Sequence, residues 1–319
     1  MNELVSIITP CKNAERWLEA CLESFKNQSY TNWEWIIIDD SSTDNSYNIL
    51  KRLAKSDNRV KVFKNPDQGI IPALNEGLRS SKGSFLTRMD ADDLIPSNRL
   101  EKMVRRLQIS PDKTVITGLV SYFSDLEVSE GYQSYENWIN EVNTSASQWK
   151  NVYRECVIAS PNWMIRTTDL LSIGGFAELV YPEDYDLVFK WYQNQFHVEC
   201  IEEVTLLWRE HPDRTSRNSD HYQQEAFFEL KLKRFIELDY KDGPLVIWGD
   251  NVKSKLAETI LVKHGITPIV QNLNEYQETK HFQSPQLLIA VWPDENQRNQ
   301  IEIFLKSSKL NQGIDWWWL

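Results

Sequence analysis

The segment RMDADDLIPSNRL, residues 88–100, places three aspartates within four positions: Asp90, Asp92 and Asp93. Residues two apart on extended backbone point to the same side, so Asp90 and Asp92 are expected to face one ligand together. Carboxylates at this spacing suit Mg2+ or Mn2+, which proteins usually hold with one or two carboxylates while substrate phosphates and waters complete the shell. The alternative is a polar turn in which an aspartate caps the helix that follows.

A second acidic pair, Asp39 and Asp40, ends the strand pattern WEWIIIDD at residues 33–40. A carboxylate in that position can accept an N–H from a nucleotide base. The following letters, DDSSTD, also resemble a helix-capping sequence, and taken alone this capping role is the simpler interpretation. The presence of the three aspartates at 90–93 favours the ligand-binding interpretation instead.

The elements that must position these acids alternate regularly over the first hundred residues. Strand patterns are followed by helical patterns, and this alternation predicts βαβ units and an α/β fold with a mostly parallel central sheet. The predicted strands cover residues 4–10, 33–40, 60–65 and 84–90, and the predicted helices cover residues 14–28, 42–56 and 71–83.

Ligands of parallel sheets bind beyond the carboxyl ends of the strands. Three of the predicted strands end in polar groups, at Thr9-Pro10-Cys11, at Asp39-Asp40 and at Asp90–Asp93. We therefore expect these three segments to converge on one edge of the sheet and to form one site there.

The remaining sequence predicts a second, smaller unit. Residues 124–150 are polar and are expected to be irregular, as an insertion beside the site, and residues 209–222 are expected to form a loop. A strong amphipathic helix is predicted at 225–238. After Asp242-Gly243-Pro244 strand and helix patterns restart, which predicts domains at 1–240 and 244–319, the latter resembling half a Rossmann fold with a structural or docking role.

Two features of this second unit bear on ligands. The turn after VIWGD holds Gly249 but no second glycine, and Asp250 would put negative charge where a pyrophosphate would sit, so the dinucleotide-binding fingerprint is absent. The terminal WWWL is expected to pack against the chain's own surface, with anchoring to a membrane surface or a partner as the alternative.

Composition excludes several functional classes. The 319 residues carry a formal net charge of −11, which argues against a nucleic-acid partner because such proteins need a basic face. We find no secretory signal and no apolar run long enough for a membrane span. The four cysteines lie far apart, as is typical of reduced thiols, so we expect a cytoplasmic protein, with the inner face of the membrane as an alternative location.

An ordered set of segments resembles the family 2 glycosyltransferases of the GT-A fold, of the bacterial polysaccharide-biosynthesis type. The matching segments cover roughly residues 4–220 and are VSIITPCKN, WEWIIIDDSSTDNS, DQGIIPALNEGL, GSFLTRMDADDLIPSNRL, SIGGFAE and YPEDYDLVFKW. The resemblance implies a metal-dependent, inverting transfer of a sugar from a nucleotide-diphosphate donor, with Mn2+ or Mg2+ as cofactor and a UDP-sugar as the favoured donor. It implies a glycan, glycolipid or glycoprotein acceptor.

The resemblance also implies residue roles on the donor side. Asp40 would hold the base beside Thr9 and the backbone near Cys11, and the DxD element would contact the ribose and the metal, with Asp92 or Asp93 as the main metal ligand. Where relatives carry a basic residue near the diphosphate, this chain has Ala73-Leu74-Asn75. The implied donor-site residues are Thr9, Cys11, Asp40, Asn75, Arg88, Asp90 and Asp92, and the implied metal ligands are Asp90, Asp92 and Asp93.

On the acceptor side, the resemblance assigns Asp184 of YPEDYDL as the general base, which would deprotonate the acceptor hydroxyl. Glu183 would orient the acceptor or the base. His211 and Arg209 would touch the diphosphate or the metal, and Trp163 would touch the acceptor. The simpler alternatives are an acidic first helical turn for Asp184 and Glu183, and a loop position for His211 and Arg209. For Trp163 the simpler alternative is a core position.

Two other functions compete with glycosyl transfer. A non-catalytic protein that binds a nucleotide-sugar or assists assembly would keep the binding residues without turnover. A nucleotidyltransferase would also use carboxylates and Mg2+ at a sheet edge, but IITPCKNAERW lacks the glycine-rich, basic loop that a triphosphate needs.

Overall fold

The computed structural model describes residues 3–125, 127–176 and 180–319. Its strands, in chain order, are β1 (Val5–Cys11), β2 (Trp33–Asp39), β3 (Val60–Lys64), β4 (Phe85–Arg88), β5 (Thr114–Phe123), β6 (Trp163–Arg166), β7 (His197–Arg209), β8 (Leu245–Trp248), β9 (Ile269–Gln271), β10 (Gln286–Ile289) and β11 (Trp316–Trp318).

Helices occupy most of the connections between these strands. They are α1 (Leu18–Lys26), α2 (Ser46–Ser56), α3 (Ile70–Ser80), α4 (Arg99–Ile109), α5 (Glu130–Thr144), α6 (Gln148–Asn151), α7 (Thr167–Ser172), α8 (Glu183–Gln193), α9 (Thr215–Asn218), α10 (Gln224–Leu238), α11 (Val252–Lys263) and α12 (Glu295–Ser307), with 3-10 helices at Asp220–Tyr222 and Leu273–His281. Within the described residues no helix combines the length and apolar character needed to cross a membrane.

The chain forms two compact units. The first consists of residues 1–147 and 158–214, and the second of residues 148–157 and 215–319. The sequence predicts a boundary between two independently folding domains at residues 240–244, and this boundary stays a prediction.

The first unit is built on one mixed, mostly parallel sheet in the order β3-β2-β1-β4-β6-β5-β7. Strands β1 to β4 pair in parallel, and β6 runs antiparallel between β4 and β5. The predicted α/β fold is therefore confirmed. Helix α3 approaches β1 closely because Gly77 has no side chain: a Cβ there would lie 3.1 Å from the Cβ of Ile8.

The expectation of an irregular 124–150 segment is wrong, because most of it forms the fifteen-residue helix α5. Ile139 and Val142 are buried on one face of this helix. The Asn140 side chain accepts a hydrogen bond from the Val120 N–H at 2.9 Å and donates one to the Val120 carbonyl at 2.9 Å, which docks the helix on β5. These tertiary contacts outweigh the polar composition from which irregular structure was predicted.

The predicted 209–222 loop is also partly helical, since it contains α9 and a 3-10 helix at Asp220–Tyr222. The predicted helix at 225–238 agrees with α10 to within one residue at its start.

The second unit has its own parallel sheet in the order β11-β10-β8-β9. The terminal tryptophans form β11, which pairs with β10, and Trp317 is fully buried. The WWWL segment is thus an integral strand, where surface packing was expected. This segment offers no exposed anchor for a membrane, because Trp316, Trp318 and Leu319 are each at most 5% exposed.

Candidate active site

The polar strand ends converge on one edge of the first sheet, as the parallel pairing requires. Cys11 lies opposite Asp39 in the β1–β2 register, and the Asp40 N–H donates to the Cys11 carbonyl at 2.8 Å. On the other side of β1, the Met89 N–H donates to the Ile8 carbonyl at 2.9 Å. The loops after β1, β2 and β4 are therefore neighbours.

Asp40 ties the end of β2 to the loop between β3 and α3. Its Oδ1 accepts hydrogen bonds from Asn65 Nδ2 at 2.7 Å and from the Gly69 N–H at 3.0 Å. Gly69 has φ of +102°, a conformation that side chains rarely adopt, so a glycine is required where the loop turns toward Asp40. Lys12 Nζ lies 3.7 Å from Asp40 Oδ2, and its side chain is largely exposed.

Two buried oxygen acceptors beside Asp40 have no hydrogen-bond partner among the described residues. They are Oδ1 of Asp39 and Oδ1 of Asn65. A buried acceptor without a partner costs free energy unless water or a ligand satisfies it. Asn65 was not identified from the sequence, although its position directly after β3, at the same sheet edge, was an available signal.

Arg88 joins the DADD loop to the start of α8. Its Nε donates to Asp90 Oδ1 at 2.9 Å, and its Nη1 donates to Glu183 Oε1 at 2.9 Å. Burial raises the pKa of Asp90, and the Arg88 charge opposes that rise. The Arg88 side chain is only 5% exposed, and the half-buried Asp90 and the buried Glu183 already engage this cation.

Asp92 forms a direct contact with His211. His211 Nε2 lies 2.9 Å from Asp92 Oδ2. Burial alone would raise the pKa of Asp92, but the hydrogen bond with His211 and the nearby Arg214 charge bring the pKa below its ordinary value. Asp92 therefore presents an ionised carboxylate beside an imidazole.

Asp93 is turned inward. It is 1% exposed, and its Oδ1 accepts the Arg209 N–H at 2.8 Å. Burial, with the neighbouring Asp92 and Asp90 charges, raises the pKa of Asp93 well above its usual range. Asp93 therefore secures the DADD loop to β7, a role that the sequence left undecided against metal binding.

Arg209 and Trp17 support this loop from the other side. Arg209 Nε donates to the Asp92 carbonyl at 2.7 Å, and its guanidinium lies 4.4 Å from the Trp17 ring centroid and 4.4 Å from that of Phe123. The Trp17 ring also lies 5.2 Å from the His211 ring. Trp17 thus contacts both residues that hold Asp92, a role that helical spacing alone did not reveal.

The ED pair begins α8 next to this loop. Asp184 Oδ1 accepts the Tyr185 N–H at 2.8 Å. Burial and then the Glu183 charge raise the pKa of Asp184 to about 7, against the opposing charge of Arg88. A carboxyl group with such a pKa can exchange a proton near neutral pH, which is the property a general base needs.

The other predicted site residues lie deeper in the fold. Thr9 is fully buried and its Oγ1 accepts the Trp35 indole N–H at 2.8 Å, so its side chain belongs to the core. Cys11 is buried at the end of β1. Asn75 is half-buried on α3.

The position of Trp163 favours the core alternative over a contact with the acceptor. Its side chain is 2% exposed, and its ring packs edge-on against Trp191 at 5.6 Å, so it is part of the core at β6.

The SIGGFAE segment is described only as far as Phe176, and its residues 177 and 178 lie outside the described part. Gly175 has φ of +61°, and a Cβ there would lie 2.7 Å from Leu78 Cδ2.

The donor set fits a divalent ion that a substrate helps to bind. Within the described ranges no three acidic, histidine or cysteine side chains form a ready ligand group. Asp92 and His211 provide one oxygen and one nitrogen donor in direct contact. Mg2+ and similar ions in phosphate-handling sites take one or two protein ligands and complete their shell with substrate phosphates and water.

Comparison with known proteins agrees with this geometry. Residues 6–172 match the profile of the family described as glycosyl transferase family 2. An uncharacterized glycosyltransferase of Haemophilus influenzae (strain ATCC 51907 / DSM 11121 / KW20 / Rd) is 27% identical over 239 residues, which cover 72% of each chain.

Two solved structures share the fold at low sequence identity. Staphylococcus aureus TarS 1–349 in complex with UDP-GlcNAc aligns with a TM-score of 0.57 at 16% identity, over 95% of this chain and 80% of TarS. The mannosyltransferase PcManGT from Pyrobaculum calidifontis, in complex with GDP-Man and Mn2+, aligns with a TM-score of 0.56 at 19% identity, over 74% of this chain and 65% of that one. With more than half of its length matched by the family profile, the chain belongs to glycosyl transferase family 2 and is a glycosyltransferase.

Proposed function

We propose that this enzyme moves a sugar from a nucleoside diphosphate donor, with a UDP-sugar as the expected donor, to a hydroxyl of a glycan, glycolipid or glycoprotein acceptor, with inversion at the anomeric carbon. One observation carries the proposal. A single sheet edge holds the Asp92–His211 pair and, through the Arg88 bridge, the start of α8 with Asp184, whose pKa is raised to about 7.

The nucleotide base is assigned to the Asp40 end of this edge. Asp40, Asn65 and Gly69 form one hydrogen-bonded group, and the unpartnered oxygens of Asp39 and Asn65 can accept N–H donors from a base. The UDP-GlcNAc complex of TarS and the GDP-Man complex of PcManGT are consistent with a nucleotide in this fold.

Mn2+ or Mg2+ would be held by Asp92 and His211. When bound, such an ion supplies positive charge that stabilises the departing diphosphate. Asp90, fixed by Arg88, is assigned to the ribose or to a second contact with the ion, and Asp93 to support of the loop. Arg88, one of the donor-site residues expected from the sequence, is assigned to orienting Asp90 and Glu183.

Asp184 is assigned as the general base. It takes the proton of the acceptor hydroxyl while that oxygen attacks the anomeric carbon from the face opposite the diphosphate. The new carbon–oxygen bond forms as the bond to the phosphate oxygen breaks, and the nucleoside diphosphate leaves with that electron pair. A single displacement of this kind inverts the configuration and needs no covalent enzyme intermediate.

The test is release of the nucleotide by the full chain, as nucleoside diphosphate from UDP, GDP and dTDP sugars or as CMP from a CMP sugar, with and without Mn2+. Asp92→Ala and Asp184→Ala should each remove most of the turnover. Asp112→Ala is the matched control, since Asp112 is a 90% exposed carboxylate of the same unit. Unchanged turnover in both site variants would refute the assigned roles, and release of pyrophosphate from a nucleoside triphosphate would instead indicate a nucleotidyltransferase.

A further inference from the structure

The second unit has the strand order at which parallel α/β sheets form a ligand crevice. The chain passes from β8 through α11 to β9 on one side of the sheet, whereas β10, α12 and β11 lie on the other side of β8. The strand order therefore reverses between β8 and β10. Parallel α/β sheets bind ligands outside the carboxyl ends of the strands at such a reversal point.

The β8 side of this crevice is closed to an anion. Asn251 Nδ2 donates to the Ala290 carbonyl at 2.9 Å, which joins the two loops. The Asn251 side chain also accepts the Ser254 N–H, so the first turn of α11 is already capped. Asp250 adds an exposed negative charge at the same turn. Any anion in this crevice must therefore be bound by side chains on the β10 side.

On the β10 side, two arginines share one exposed indole. Trp292 follows β10 and is 47% exposed. The guanidinium carbon of Arg154 lies 3.3 Å from a Trp292 ring centroid, and that of Arg298 lies 4.5 Å away. Attraction between a cation and the ring face holds each guanidinium in a fixed orientation.

Two like charges at one ring repel each other, and an anion bound beside both would offset that repulsion. Within the described part of the chain, Arg298 forms no ion pair with a carboxylate. Its Nη1 donates a hydrogen bond to the Pro293 carbonyl at 2.6 Å. The nearby Asp294 carboxylate accepts the Gln297 N–H at 2.9 Å and caps α12.

A buried lysine contacts the Arg154 backbone. Lys231 is 3% exposed, and its Nζ donates to the Arg154 carbonyl at 3.3 Å. Burial lowers the pKa of Lys231 to about 7, with Glu155 opposing the shift and Lys253 adding to it. Basic side chains from three segments of the unit, 148–157, α10 and α11, thus lie near one another.

We propose that Arg154, Trp292 and Arg298 form a binding site for a phosphate or diphosphate group. Guanidinium groups bind phosphate oxygens through paired, charge-assisted hydrogen bonds, and stacking on an indole fixes their planes in advance. The ligand class is a phosphate ester or diphosphate, supplied either by the headgroup of a lipid or by a phosphorylated molecule free in solution.

The site is tested by calorimetric titration of the full chain with inorganic pyrophosphate, in a chelator that removes divalent ions. We expect saturable binding that weakens as salt rises. Arg298→Gln should weaken binding by about tenfold, the usual effect of losing one charge-assisted contact, and Arg298→Lys should fall between the two. Lys306→Gln, which removes an exposed cation from the same helix, is the matched control and should bind as the parent does.

Equal affinity of Arg298→Gln and the parent for pyrophosphate overturns the proposal. Weakening in Lys306→Gln as large as in Arg298→Gln also overturns it, since pyrophosphate would then respond only to the overall positive charge. Arg154→Gln provides a second, independent test from another segment, with thermal melting to verify that each variant is folded.

A vesicle arm distinguishes the two sources of phosphate. Co-sedimentation with phosphatidylglycerol vesicles, absent with phosphatidylcholine vesicles and lost in Arg298→Gln, assigns a lipid headgroup. Pyrophosphate binding without vesicle binding assigns a phosphorylated molecule in solution. No binding to either probe overturns the site.

Discussion

Replacing Asp184 with asparagine should reduce activity and raise stability at the same time. Asparagine keeps the shape and the hydrogen bond from the Tyr185 N–H but cannot accept a proton. Loss of a general base typically costs about 10²- to 10⁴-fold in rate. In the parent enzyme, a base with a pKa of about 7 is ionised to about 9% at pH 6 and about 91% at pH 8. The parent's turnover should therefore rise about tenfold over that range.

The stability effect follows from the same pKa. The pKa of Asp184 is about 7 in the folded protein and near 3.8 when the chain is unfolded. The unfolded state therefore loses its proton first as pH rises, and folding becomes less favourable between pH 4 and pH 7. About three pKa units at about 1.4 kcal/mol each set an upper bound near 4 kcal/mol. Solvent screening at a partly accessible group reduces this to roughly 1–2 kcal/mol.

The assay compares urea unfolding of the parent and Asp184→Asn at pH 4 and pH 8, beside donor turnover from pH 5.5 to 8.5. The variant should match the parent at pH 4 and exceed it at pH 8. Two results contradict this reasoning: a stability difference between variant and parent that is the same at pH 4 and pH 8, or parent turnover that does not change between pH 6 and pH 8.

Three further predictions concern other parts of the chain. Asp92→Asn should lose at least about 100-fold of metal-dependent turnover, whereas Asp93→Asn should retain most of it, because the raised pKa of Asp93 makes asparagine a close substitute. Steady-state rates over a Mn2+ titration distinguish the two variants, and a larger loss in Asp93→Asn would exchange the two assigned roles. Trp17→Ala should weaken activation by Mn2+ by about three- to tenfold through loss of ring contacts with Arg209 and His211, while Trp17→Phe restores most of it; the concentration of Mn2+ at half-maximal rate measures this. Trp317→Ala should destabilise the second unit by about 3–5 kcal/mol because it empties a fully buried site; thermal unfolding measures this, and an unchanged transition would contradict the buried strand.

Regular alternation of strand and helix patterns was sufficient to predict the first half of the sheet. Buried strands such as WEWIIID can be assigned from the local sequence, since every residue of the strand is buried in the same way. Helix α5 was missed because its buried positions are few and its docking depends on the Asn140 contact with β5, a partner 20 residues away. Similarly, the buried β11 depends on pairing with β10, which no property of WWWL alone reveals.

Within the candidate site, the sequence determined which acids gather at one edge, because parallel strands bring their carboxyl ends together. Only the tertiary structure decided what each acid contacts. Asp92 meets His211, while the adjacent Asp93 turns inward to the Arg209 backbone. The partners of both aspartates lie more than 110 residues away along the chain. Such distant contacts set the burial, the hydrogen-bond partners and the neighbouring charges of a carboxyl group, and these together set its pKa, so the state of neither aspartate could be obtained from local spacing.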